Sequence, residues 1–436
     1  MLLAFAVRFG MKQAILLAIA AVICASAAGQ NNFKVIHSFS GYPNDGSHPT
    51  GPVVFDKLGN MYGSAPGGSN GGCGDLGCGV VYELSPDGHG NWTETILYNF
   101  CENWNGQTCL DGTAPTGGLA LDAAGNLYGV AIEGGTGVGE LSIGGGVAFE
   151  LSPPSQRGGA WTETVLYNFC NDLQGNLCLD GLAPASQPVF DSSGNLYGTT
   201  AGGGTGHLSL GGGTVFELSP GVNSWTEKIL YNFCSQGTGD NCPDGEIPSG
   251  GVTFDKSGNL FGTTDYSGNS NTNTGGTVYE LSSSAGGWKY RRLLEVPARS
   301  KSNYLPGAVS FDGVGNLYST FGAPDGGVFK LNPSTRKLEV FSFNGQDGQN
   351  PQRGVLIDAR TGALYGTTAF GGGSGNIYRI NSNRKETVLH NFCALPNCVD
   401  GELPWPAPMP DASGNLYGTA GFGGEYGAGV VYSVSP

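Results

Sequence analysis

Six aspartates of the chain stand in a recurring D-G-x-x-P context: Asp45, Asp111, Asp180, Asp244, Asp347 and, as D-G-E-L-P, Asp400. Carboxylates brought round one axis by copies of a single unit are the donor set of a hard cation such as calcium, and no other cofactor is implied. The same residues have a plainer use. An Asp before Gly caps its own turn, the Pro sets the strand that follows, and a feature present in nearly every copy usually builds the copy.

The aromatic residues divide in two. Trp92, Trp161, Trp225 and Trp288 begin equivalent strands and read as structural, whereas Trp104 and Trp405 fall between repeats. There an indole can stack on a sugar or pack under a disulfide loop. Tyr42, His48, His207, Tyr304, Phe422 and Tyr426 fall in loops of the same kind and complete the candidate ligand-binding set. The segment 299–306 (RSKSNYLP) adds positive charge to that side, as a solvated loop or as a seat for an anionic group.

Acid/base chemistry on glycans needs a pair of carboxyl groups. Glu102, Glu133, Glu140, Glu246, Glu402 and Glu425 are available, but they share no motif and no catalytic residue is assigned. Glu83, Glu150, Glu217 and Glu280 recur in one strand slot and read as structural. So do His37 and His390, which share a slot with Tyr98, Tyr167 and Tyr231. His89 lies in a turn on the opposite face. The GGG runs lack the Lys-Ser/Thr and the helix of a phosphate cradle.

These residues hang on one unit, seen clearly in residues 188–234. It reads as four short strands: a first run ending in D-x-x-G-N, a second over 196–200, a third over 214–218, and a fourth that alternates over 225–233. The second-strand signature occurs seven times, at Asn60, Asn126, Asn195, Asn259, Asn316, Ala363 and Asn415. Small antiparallel sheets cannot bury both faces alone, so the copies must pack round an axis or in a stack. The ends of the chain decide between these. Phe33–Phe39 matches a fourth strand with no predecessors, and Val430–Val434 a third strand with no successor. The expectation is an all-β fold, a seven-bladed β-propeller of four-stranded antiparallel blades, its ring closed by the N-terminal strand completing the last blade. Segments between second and third strands are long in blades one to four (64–78, 131–145, 201–212, 265–275) and short in blades five and six. Together with the inter-blade loops they should form one face, walled on one side, a groove suited to an extended polymer.

The elements G-N-L-Y-G-T-T, G-G-G-x-V-[FY]-x-L and L-x-x-F resemble those of the GloVer tandem-repeat family, exported bacterial chains, over residues 33–436. Ser319 and Ala363 mark blades five and six as the divergent copies. The resemblance implies export and varied surface anchors, and brings no shared catalytic residue or substrate. The residues before Pro436 do not read as an anchoring tail, so retention at the surface is not expected from them.

Residues 1–28 read as a signal peptide, with Arg8 and Lys12 before the apolar run 14–23 and a small-residue site at 25–27; residues 29–436 are then a single propeller domain. Met11 is an alternative start. Without Arg8 and Lys12 the formal charge goes from −15 to −17, which argues against a nucleic-acid partner. No other stretch is apolar enough to span a bilayer. Apart from Cys24 the cysteines fall in close pairs, Cys73/Cys78, Cys101/Cys109, Cys170/Cys178, Cys234/Cys242 and Cys393/Cys398, read as local disulfides of an oxidising compartment. Zinc would need converging soft ligands, and no histidine accompanies these pairs in sequence. The expected protein is secreted or at the cell surface, binding an extracellular glycan or a cell-surface component. The alternatives are a propeller polysaccharide lyase or glycoside hydrolase, and a structural envelope repeat protein.

Overall fold

A computed structural model describes residues 33–436 except 70–72, 138–143, 157, 223, 240, 268–273, 298–306, 323–324 and 352. The proposed signal segment, Tyr304, Glu140 and the basic segment 299–306 lie outside the described residues. Seven antiparallel blade sheets follow one another along the chain, with two further two-stranded sheets in the loops, and the described residues contain no α-helix, only two short 3-10 turns. The second sheet shows the order, with Thr113–Leu121 innermost, then Leu127–Glu133, Val147–Ser152 and Thr162–Asn168 outermost. In the third blade the innermost strand is broken into Leu182–Pro184 and Val189–Phe190, both paired with Leu196–Gly202, so the first run begins earlier than its sequence pattern suggested. The ring closes as expected: Lys34–Ser38 pairs antiparallel with Val430–Val434, Val35 facing Tyr432.

Local chemistry explains the motifs. In D-x-x-G-N, Oδ1 of Asp191 accepts the Ser193 and Asn195 backbone N–H groups at 2.8 and 2.9 Å, while Asn195 Nδ2 donates to Oδ2 at 2.8 Å. Gly194 takes the positive φ (84°) that the turn needs. The glycine of N-L-Y-G makes room for the strand-three aromatic opposite it. A Cβ on Gly198 would lie 2.5 Å from Cζ of Phe216, and Tyr82, Tyr279, Tyr378 and Tyr432 press their rings on the equivalent glycines. Blade six has Ala363 where others have Asn; there the Thr361 hydroxyl, donating to Asp358 at 2.6 Å, replaces the missing amide.

The cores lie between blades rather than within them. One cluster joins Tyr62 and Val81 of blade one to Leu127 and Phe149 of blade two. Another joins Tyr82 of blade one to Val431 of blade seven, which buries the seam of the ring. The four repeat tryptophans pack against such clusters, as their position implied. Each blade therefore completes its burial against a neighbour. Hydroxyls tie the inner strands across the seams: Thr263 Oγ1 donates to the Gly307 carbonyl at 3.0 Å, and Thr419 Oγ1 to that of Gly51 at 3.1 Å.

Candidate functional site

All five cysteine pairs are disulfides, and each clamps a loop between strands two and three or between blades. These loops make the face to which the sequence assigned binding. The second-to-third-strand connections run from Ala65 to Val80 and from Glu133 to Val147 in blades one and two, but only from Phe321 to Gly327 and from Phe370 to Asn376 in blades five and six. The connections are therefore long on one side of the ring and short on the other.

Its exposed rings are distinctive. Among the described residues the well-exposed aromatics are Tyr42, Trp104, Tyr266, Phe370, Phe422 and Tyr426, and all six stand on this face. Among the described residues the large hydrophobic side chains exposed on the opposite face are aliphatic, such as Leu58, Val222 and Val314. Trp104, 57% exposed, rides on the loop closed by Cys101 and Cys109 and is not packed beneath it. Tyr42, His48, Phe422 and Tyr426 come from the two sides of the seam between blades seven and one, with the His48 and Phe422 rings edge to face at 4.7 Å. Burial lowers the pKa of His48. His207 lies on the Cys234–Cys242 disulfide, its Nε2 3.4 Å from Cys234 Sγ.

Trp405 is elsewhere. Expected in a surface loop, it instead lines the axial channel, half-buried, because the proline-rich run 404–408 carries it inward along the innermost strand. Its Nε1 is buried and lies against Gly421.

The six D-G-x-x-P aspartates do not line that channel. Each sits in its own inter-blade loop with at least one carboxylate oxygen engaged. Asp111 accepts from the Tyr98 hydroxyl at 2.8 Å and from the Glu102 N–H at 2.9 Å, and Asp244 accepts likewise from Tyr231 and Ser235. Asp180 takes the Tyr167 hydroxyl, while Asp400 faces His390 Nε2 at 3.0 Å and Asp45 faces His37 at 3.6 Å. Asp347 takes the Asn344 N–H at 2.9 Å. Tyr98, Tyr167 and Tyr231 thus donate to the cap as well as pack. Beside these caps lies an unforeseen set of fourth-strand glutamates. Burial, with Asp45 nearby, pushes Glu94 to about 7 against the pull of His37; burial and then Asp111 push Glu163 to about 8. Glu227 beside Asp180 and Glu386 beside Asp347 are raised to about 8 in the same way. His37, Asp45 and Glu94 bring ligand atoms close enough to share a cation, a cluster of one blade seam rather than of the axis.

The axial cavity, about 550 Å³, is walled by innermost-strand residues of all seven blades. Two charged residues line it. Asp265, just beyond strand two of blade four, accepts from Ser249 Oγ at 2.6 Å; burial raises it to about 6 against the pull of Ser249 and Arg353. Arg353 of blade six has the left-handed φ of 49°, and among the described residues its guanidinium makes no hydrogen bond or direct ion pair. Neither residue belongs to a motif, and neither is among the candidates read from the chain pattern. The signal that marks them is departure from the repeat. Where Arg353 stands, the other copies have Gly51, Gly117, Ser186, Gly250, Gly307 and Pro406; where Asp265 stands, they have Pro66, Ile132, Ala201, Gly322, Ala369 and Gly421. Among the described lining residues Asp265 is the sole carboxylate, so the paired carboxyl groups of a glycosidase are not assembled there.

Fold and site together define a disulfide-stapled, seven-bladed β-propeller with an aromatic-bearing loop face and a charged axial cavity. Residues 272–436 match the Gloeobacter/Verrucomicrobia repeat. Among solved structures it is similar to puromycin hydrolase (10% identity, TM-score 0.52), over 89% of this chain and 53% of that one. It thus spans about half the length of that protein, and the likeness is one of fold. It is also similar to a luciferin-regenerating enzyme (12% identity, TM-score 0.42, 93% of this chain and 95% of that one). TolB from Acinetobacter baumannii follows, at 9% identity and TM-score 0.38 over 66% of this chain and 60% of that one. No curated protein matches the chain. No described helix is long and apolar enough to cross a membrane.

Proposed function

We propose that this is an exported or cell-surface binding propeller whose loop face takes an extended extracellular polysaccharide. The observation that carries the reading is the segregation of all six well-exposed aromatic rings of the described residues to the loop face, whose connections shorten at blades five and six. Flat rings spaced along an open groove suit successive sugar units, each offering an apolar face and a rim of hydroxyls. The disulfides fit an oxidising compartment.

A glycan array with the full chain tests this. Binding of polysaccharide, weakened by roughly 1 to 3 kcal/mol in Trp104→Ala as for other aromatic stacking contacts, supports it. Silence across the array would leave the structural envelope role. Release of reducing ends or unsaturated products from a bound polymer would instead favour the lyase or hydrolase.

A further inference from the structure

We infer that the axial cavity is a specificity site for a carboxylate-bearing sugar, a uronic acid unit, held between Arg353, Asp265 and Trp405. The inference rests on the polysaccharide reading for its sugar and adds the charge that the sugar carries.

The first step comes from the repeat itself. What recurs in every blade builds the blade; what occurs once has no such duty. Apart from Arg353, Asp265 and Trp405 the cavity wall is uncharged, made of Gly, Ala, Ser, Pro and aliphatic residues with Thr253, Met409 and Gln187, whose amide donates to the Leu119 carbonyl at 2.7 Å. A Cβ on Gly307 would strike the backbone of Arg353 and Gly354, so this ring is crowded with main chain. Arg353 puts the longest cationic side chain at a slot where six copies have nothing larger than proline, and in the left-handed conformation that glycine favours. Blade four alone adds a carboxylate, and blade seven alone an indole, where the other described copies have Thr50, Thr116, Ala185 and Ser249. Three single-copy departures from three blades converge on one cavity.

The chemistry of the three is complementary to one kind of ligand. A guanidinium with no direct carboxylate partner among the described residues can take a carboxylate in two parallel hydrogen bonds, which a neutral group cannot match. Asp265, with the Ser249 hydroxyl bound to it, can accept hydrogen bonds from ring hydroxyls. The Trp405 indole offers an apolar surface to the face of a pyranose. A volume of about 550 Å³ holds one or two sugar units. In a chain of formal charge −15 an anion has little reason to enter a cavity except to meet such a cation.

The test is calorimetric titration of the full chain with galacturonic and glucuronic acid, their methyl esters, galactose, glucose, and the non-sugar carboxylates glutamate and citrate. The free uronates should bind, and the esters and neutral sugars, which lack the charge, about tenfold or more weakly. Arg353→Gln should abolish that preference. Arg353→Lys, which keeps the charge without the planar fork, should restore part of it. The ester comparison needs no variant, so a misfolded substitution does not rescue the idea. Equal binding of acid and ester, absence of uronate binding, or an unchanged preference in Arg353→Gln overturns the inference. Equal binding of glutamate or citrate overturns its sugar component. A neutral polysaccharide held through Trp104 with no uronate binding would defeat this inference alone, whereas uronate binding with a silent array would defeat only the loop-face reading.

Discussion

The Tyr98 hydroxyl of blade one donates a 2.8 Å hydrogen bond to Asp111, the residue that caps the loop into blade two. The same carboxylate receives the Glu102 N–H, so one aspartate ties the outer strand of one blade to the start of the next. Replacing Asp111 with Ala leaves these donors unsatisfied, and the stability lost should be about 1 to 3 kcal/mol. Tyr98→Phe should cost less, since the backbone donor remains. Denaturant unfolding of both variants checks the order.

Stability should fall as pH rises from acid to mildly alkaline. Glu94, Glu163, Glu227 and Glu386 have folded-state values of about 7 to 8 against an ordinary 4.5. Because the native state holds these protons more tightly, the stabilisation is fully present below 4.5 and is lost as pH rises through 7 to 8. A thermal midpoint higher at about pH 5 than at about pH 9 is expected. Replacing all four by Gln should flatten the profile; an unchanged slope would assign it to other groups.

Gly198→Ala places a methyl group 2.5 Å from the Phe216 ring. Overpacking of this kind should cost about 1 to 3 kcal/mol, and Phe216→Leu in the same chain should recover part of it. A thermal melt of the single and double variants measures both effects.

Deleting residues 33–39 removes the outer strand of blade seven and bares the edge of Val430–Val434. An unpaired edge beside an opened core should produce association or loss of cooperative unfolding, readable by light scattering and calorimetry. Adding the segment back as a peptide should reverse part of the defect.

Mass measurement should show ten protons gained on full reduction of the chain, two for each of the five disulfides. Each closes a short loop and contributes at most roughly 2 to 3 kcal/mol, so reduction should loosen the loop face before it unfolds the ring.

Repetition made the architecture legible. The turn chemistry of D-x-x-G-N, the glycine opposite a strand-three aromatic and the orphan strands at the two ends are local patterns, and local patterns copied seven times leave one closed arrangement. The close cysteine pairs and the loop-face position of Trp104 and Tyr42 followed from the same register. Trp405, Asp265 and Arg353 did not. Their meeting depends on where three innermost strands from different blades converge, at sequence separations no motif spans. Chain pattern decides what each blade is; only closure of the ring decides which odd residues share the axis, because that proximity is made by packing between blades and by no contact within one.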